Sequence, residues 1–369
     1  MKKTFSFLLV RLVFSLSAVN LYAQTPKLNN AFNASFGIVA DSKGYAFVTG
    51  RNNKIIRITP QGNAELFAGG GRNGKDGQGK EAGFSDLAGI AIDSSGNMYV
   101  ADGTRIRKIL PGGSVITLVG TAIAGSKDGD RSTAAFFSLE NIAIDNNGTI
   151  YVTDKEPSPN GSTGYYFIRK ITAQGIVRTI KDGNEGSLRL HYPRGLACDA
   201  AGNLYVCCNA GHCVRKISPA GVISTAAGQC DKTILNSVYK EGPVTTAVLT
   251  APSGIAIAPN GDIYISDTRL HRIIKVANNK VTTVAGTGKF DFGGNPAGAA
   301  EPGYADGKAL SARFDAPNGI TFDRNGDLYI IDRSSSNNSY IRKLSSAGIV
   351  TTFCKHEWNP KTSQYEEAD

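Results

Sequence analysis

The chain has 369 residues, 41% hydrophobic and 19% charged, with 43 glycines and only 2 methionines. That length allows one large domain or two smaller ones, and the glycine content favours turn-rich β structure over helical bundles. The formal charge of +9 is spread along the chain, and without a dense Lys/Arg run it argues against a nucleic-acid partner.

Lys2 and Lys3 precede an apolar run from Phe5 to Val19, broken once by Arg11, and Leu21-Tyr-Ala23 stands before Gln24 in the manner of a cleavage site. Residues 1–23 are expected to be a signal peptide, because the unbroken apolar portions are shorter than the roughly 20 residues a membrane span needs. Loss of Lys2, Lys3 and Arg11 lowers the formal charge to +6. The mature chain is then expected in the periplasm or outside the cell, with no further membrane-spanning segment. Residues 24–36 read as a lead-in.

From Gly37 onward one unit recurs six times. Its copies begin at Gly37-Ile-Val-Ala-Asp41, Gly89-Ile-Ala-Ile-Asp93, Asn141-Ile-Ala-Ile-Asp145, Gly195-Leu-Ala-Cys-Asp199, Gly254-Ile-Ala-Ile-Ala258 and Gly319-Ile-Thr-Phe-Asp323. The fifth copy shows the plan most clearly. Gly254–Ala258 and Asp262–Asp267 flank the turn Pro259-Asn-Gly261, while Arg272–Val276 and Lys280–Ala285 flank Asn278-Asn279, so each copy reads as two hairpins of β-branched strands. Apolar groups point to both faces of such a unit, which suits a blade packed between two others. The expected fold is an all-β six-bladed propeller of four-stranded antiparallel blades over residues 37–354. The blades fall near residues 37–68, 89–119, 141–180, 195–228, 254–286 and 319–354, with a tail at 355–369.

The recurring Gly-Ile-Ala-x-Asp start, the strand ending in Asp, the Ile-x-Lys strand, the Val-Thr-Thr-x-Ala-Gly ending, and Phe314-Asp-Ala-Pro-Asn-Gly-Ile320 resemble the NHL repeat. The resemblance implies a six-bladed propeller over about residues 32–354. The chain departs from the pattern at Gly50, where other copies carry Asp, and it keeps the family's His only as His212 and His271. Propellers with this repeat include lyases that place three histidines around an axial zinc, and related folds include lactone hydrolases with a divalent metal.

With strands named a to d from the axis outward, the a–b and c–d turns are uniformly short and share one face. The long segments share the other face. They are the d–a connections 69–88, 120–140, 181–194, 229–253 and 287–318, and the b–c insertions 155–167 and 333–339. Long loops on a rigid scaffold commonly carry function, so the functional surface is expected there. Tyr165, Tyr166, Tyr239, Tyr304 and Tyr340 lie in or beside these loops and are candidate contacts for a protein, peptide or glycan ligand.

Acid-Gly pairs recur in the same loops ahead of an Ala and a large apolar residue. They are Asp76-Gly77 before Ala82-Gly-Phe84, Asp128-Gly129 before Ala135-Phe-Phe137, Glu241-Gly242 before Ala247-Val-Leu249, and Asp306-Gly307 before Ala312-Arg-Phe314. The apolar residue is expected to plug the space between blades near the axis. The carboxylates have two readings: acceptors for loop amides, or a ring around the channel mouth holding a divalent cation such as calcium, with His191 as an additional ligand.

Asp102, Asp154, Asp267 and Asp332 recur at the ends of b strands, and Arg107, Arg169, Arg215 and Arg342 in c strands. Repetition in copy after copy points to ion pairs within the scaffold, since a catalytic group is needed once. His212 and His271 are expected to be structural. No catalytic residue is assigned, and no nucleophile elbow, HExxH or phosphate loop is present. Five of the six cysteines cluster between Cys198 and Cys230, with Cys208 and Cys213 bracketing a short turn as the expected disulfide. The sequence thus favours an exported binding scaffold. The alternative is a metal-dependent hydrolase or lyase at the channel mouth.

Overall fold

A computed structural model describes residues 37–50, 52–158, 164–181, 190–230, 239–287, 302–333 and 339–355. The expected signal peptide, the lead-in and the tail beyond Lys355 lie outside them. Six antiparallel sheets follow one another along the chain, three of four strands and three of five. In the second blade the strands are a, Leu87–Ile92; b, Met98–Asp102; c, Arg105–Ile109; and d, Ser114–Val119. The a strands of successive blades pack side by side around the axis, and the first, Ile38–Ala40, also packs on the last, Pro317–Phe322. Among the described residues no helix is long and apolar enough to cross a membrane.

Five of the six a–b turns are built by an Asp, at positions 41, 93, 145, 199 and 323. Asp93 Oδ1 accepts the amides of Ser95 and Asn97, both at 2.9 Å, while Oδ2 accepts from Asn97 Nδ2 and the Tyr99 hydroxyl. Gly96 completes the reversal at φ 80°, in the left-handed region that glycine enters without a Cβ penalty. The inner-strand glycines serve a different need, because a Cβ on Gly254 would fall 2.0 Å from the Asn318 carbonyl oxygen of the next blade. Only hydrogen at this position lets neighbouring inner strands come so close.

The core lies between blades. Val39, Phe47 and Ile55 of the first blade cluster with Phe84, Met98 and Val100 of the second. The ring closes in the same way: Ile38, Val48 and Ile56 of the first blade pack with Tyr329, Ile331 and Cys354 of the last. Among the described residues every strand of the two seam blades comes from its own stretch of chain, and apolar packing joins them.

Fifth strands were not anticipated. They are two-residue pieces, Gly77–Gln78, Gly242–Pro243 and Gly307–Lys308, each hydrogen-bonded outside the d strand of the blade that follows. A d–a connection therefore crosses the outer edge of the next blade before turning inward. In the third blade only the isolated bridge Gly129–Val177 takes this place.

Candidate functional site

The outer-edge route corrects the cation ring. Asp76, Asp128, Glu241 and Asp306 precede the outermost pairing of four different blades, so they do not converge on the channel mouth. Each is engaged locally. Asp76 Oδ1 accepts from Arg107 at 2.7 Å and from the Thr117 hydroxyl at 3.0 Å. Asp128 and Asp306 repeat the arrangement with Arg169 and Thr179, and with Arg342 and Thr352. Glu241 accepts the Thr283 amide at 2.8 Å beside Arg272. Although burial works against them, hydrogen bonds from these threonines and the nearby arginines leave Asp76, Asp128 and Glu241 below the usual carboxylate range. Among the described residues no group of three or more His, Cys, Asp or Glu side chains is positioned for a metal.

In the clusters of Asp76, Asp128 and Asp306 the inner half is a buried ion pair, as the repetition predicted. Arg107 has no exposed side-chain surface, and it donates to Asp102 at 2.7 Å and to the carbonyls of Gly83 and Lys75. Arg169–Asp154 and Arg342–Asp332 match it. Arg215 does not, because Cys208 stands at the acid position and Arg215 donates to the Thr225 hydroxyl instead. In the fifth blade Ile274 occupies the arginine position and Arg272 supplies the cation from two residues earlier.

The plug residues also needed correction. Phe84, Phe136, Leu249 and Phe314 are essentially fully buried, so in the third blade the motif is Ala134-x-Phe136 rather than Ala135-Phe-Phe137. Phe84 and Phe136 abut Gly69 and Gly120 at the ends of d strands, away from the axis. The guanidinium groups of Arg107 and Arg169 lie over these rings at 5.4 Å and 5.1 Å.

The five tyrosines separate into two groups. Tyr239 and Tyr304 each stand two residues before an acid-Gly pair and cover a guanidinium, Arg272 at 4.0 Å and Arg342 at 4.4 Å. Tyr340 stacks on Tyr304 at 4.3 Å. These three belong to the outer edge. Tyr165 and Tyr166 open the strand Tyr165–Ile171, which pairs with Ile150–Glu156 to form a hairpin longer than its counterparts in the other blades.

That hairpin stands beside the channel mouth, where the structure assembles a cluster the sequence reading did not foresee. The central channel has a volume of about 320 Å³ and is lined by inner strands, mostly by glycine, alanine and branched apolar residues. At the rim on the loop-bearing face the residue before each inner-strand glycine or its equivalent is Ala88, Glu140, Arg194, Ser253 or Asn318; Arg194, Ser253 and Asn318 line the channel, and Ala88 and Glu140 stand one residue before its lining. In all five blades the register shifts across this residue, a bulge that takes its side chain off the ladder. Glu140 and Arg194 are adjacent in this rim. Arg194 donates to the Tyr192 hydroxyl at 2.9 Å and lies 4.4 Å from that ring. Tyr166 meets Tyr192 edge-on at 5.4 Å. Lys155 Nζ is 3.9 Å from Glu140 Oε1 and 5.6 Å from the Tyr166 ring.

Two polar atoms of this cluster, Glu140 Oε2 and the Tyr166 hydroxyl, are buried without a hydrogen-bond partner. Burial pushes the Glu140 carboxyl above its ordinary range, against the pull of Arg194 and Lys155 and with Asp86 adding repulsion. Tyr165, by contrast, is 59% exposed. The signal that would have found the cluster is a single column of the repeat alignment, since the residue before the inner glycine or its equivalent changes chemistry from copy to copy while the residue preceding it stays Leu or Pro.

The histidines and cysteines complete the account. His191 is exposed and its carbonyl accepts the Ala210 amide, while Arg194, three residues on, is the group that reaches the channel. His212 Nδ1 bonds the Thr250 carbonyl at 2.6 Å, which ties a b–c turn to the next inner strand. The expected Cys208–Cys213 disulfide is corrected to Cys213–Cys230. Cys208 and Cys213 are cross-strand partners, but the sulfur of Cys213 bonds Cys230, two residues beyond the d strand.

Comparison with known proteins agrees with this architecture. The family model of the teneurin NHL domain matches residues 50–136, and that of the NHL repeat matches residues 249–275. Mouse Teneurin-3 is 26% identical over 279 residues, covering 64% of this chain and 10% of its own length. The chain thus spans about a tenth of the teneurin it matches. An auxiliary nutrient binding protein from Bacteroides ovatus superposes with a TM-score of 0.60 at 17% identity, covering 89% of this chain and 70% of its own. Virginiamycin B lyase from Staphylococcus aureus gives 0.50 at 17% identity, covering 86% and 83%. At such identities the superpositions establish the fold alone. Six repeated units close into a ring, and NHL-type family models match residues 50–136 and 249–275, so the chain is a six-bladed β-propeller that carries NHL-type repeats.

Proposed function

We propose that this chain is an exported binding propeller that takes a protein, peptide or glycan ligand on its loop-bearing face at the channel mouth. The observation that carries the reading is the asymmetry of the rim. The buried Asp–Arg clusters recur around the ring and build it, whereas Glu140, Lys155, Tyr166, Tyr192 and Arg194 meet at one place, with Tyr165 exposed on the same hairpin. Buried polar atoms without partners beside an exposed aromatic cost stability and are expected where a ligand supplies the missing bonds. The superposition on an auxiliary nutrient binding protein and the match to the teneurin NHL domain support a binding role. The leader-like residues 1–23 support export.

Immobilised protein tests this against secreted and envelope material. Tyr165→Ala and Arg194→Ala should reduce retention of the specific ligand, while Ser94→Ala and Asn146→Ala, in a–b turns on the opposite face, should not. Retention that survives both loop-face changes refutes the assignment of the surface.

A further inference from the structure

From the chemistry of the mouth cluster, and resting on the binding reading above, we infer that the recess between Glu140, Tyr166 and Arg194 is a subsite for the hydroxyl groups of a neutral sugar at the end of a glycan. The charges balance: Glu140 and Asp86 stand against Lys155 and Arg194. A ligand carboxylate drawn to Arg194 would face Glu140, and a ligand ammonium drawn to Glu140 would face Arg194 and Lys155. Sugar hydroxyls avoid both conflicts, because each donates and accepts at once. One hydroxyl can donate to Glu140 Oε2 and accept from the Tyr166 hydroxyl, the two atoms left without partners in the protein.

Placement agrees with this. Tyr166 is only 8% exposed, and its ring and hydroxyl are held beside Tyr192. The Lys155 side chain, 38% exposed, lies across Glu140 and Tyr166 and can swing out without disturbing the sheet. Tyr165, one residue earlier in the strand, is exposed on the opposite face of the hairpin and lies outside the recess. A purely apolar ligand would leave the two buried polar atoms unsatisfied and gain nothing from the bulge that delivers Glu140.

The test uses the full mature chain and labelled neutral oligosaccharides built from glucose, mannose, galactose or xylose, with uronate-containing oligosaccharides and glycylglycine as comparison probes. Binding of at least one neutral set is expected. Tyr166→Phe should weaken it about tenfold, the equivalent of one hydrogen bond, while changing the melting temperature little, since no hydrogen bond of ordinary geometry holds the hydroxyl beside Tyr192 in the free protein. Glu140→Gln should weaken it as well, and Lys155→Ala should leave it intact or tighten it. No neutral sugar bound, or binding indifferent to both Tyr166→Phe and Glu140→Gln, overturns the assignment. If glycylglycine or the uronates bind instead and Tyr165→Ala abolishes that binding, the sugar subsite falls while the loop-face reading stands. If no loop-face variant changes any retention, both fall.

Discussion

Replacing Arg107 by Ile tests whether the repeated ion clusters are coupled units of the scaffold. Arg107 is fully buried and makes hydrogen bonds to Asp102 and Asp76, both at 2.7 Å, and to the carbonyls of Gly83 and Lys75, both at 3.1 Å. Without it the Asp102 carboxylate, which has no exposed side-chain surface, keeps only the amides of Ser85 and Asp86. Removing one partner of a buried pair costs about 3–5 kcal/mol, because the other charge is left in a low-dielectric site. The first blade shows the compensated state: Gly50 stands where Asp102 would, and Ile56 where Arg107 would. The pair is lost together. Accordingly, adding Asp102→Asn to Arg107→Ile should recover about 1–3 kcal/mol by removing the stranded charge while keeping an acceptor for the two amides. Urea unfolding followed by circular dichroism, with equal m values across the series, measures both steps. A double variant less stable than Arg107→Ile alone, or a single variant within about 1 kcal/mol of the parent, would refute the coupling.

Gly254→Ala should destabilise the ring by about 1–3 kcal/mol or more, because its Cβ meets the next blade's backbone; an unchanged denaturation midpoint would contradict the close approach. Cys230→Ser, compared with the oxidised parent, should cost about 3 kcal/mol for a bridge that closes a segment of this length, read as a lower melting temperature that reductant no longer shifts. The pH profile has two limbs. Asp332 is pushed up to about 6 by burial, against the pull of Arg342. Its native form therefore binds a proton more readily than the unfolded chain, and its contribution to stability grows as pH falls through about 6. Asp76, Asp128 and Glu241 are shifted down, so what they contribute is present above the ordinary carboxylate pKa and is lost as pH falls through their lowered values. Melting temperatures measured from pH 7 downward should hold or rise before they fall, and Asp332→Asn should reduce the rise, the remainder coming from Asp154, Asp267 and Glu140, whose carboxyls burial also pushes up.

The sequence by itself determined the ring. Six copies of alternating apolar strands with Asp- and Gly-built turns can bury both faces only by stacking, and that logic is local, so it can be read from one copy at a time. It also separated a standardised face from a variable one, and it marked the Asp–Arg pairs as scaffold because they repeat. Tertiary structure alone decided where the long connections run. Nothing local in Asp76-Gly77 or Asp306-Gly307 says whether the chain turns to the axis or crosses the outer edge. The answer lies in pairing with d strands that come some 40 residues later, Gly77 with Val115 and Gly307 with Val350. The same long-range geometry moved the disulfide to Cys230 and carried Tyr239, Tyr304 and Tyr340 away from Tyr165 and Tyr166. It also brought Glu140 and Arg194, from different blades, to one rim. Contacts between copies depend on how the copies stack, which no single repeat encodes, and the candidate site is made of such contacts.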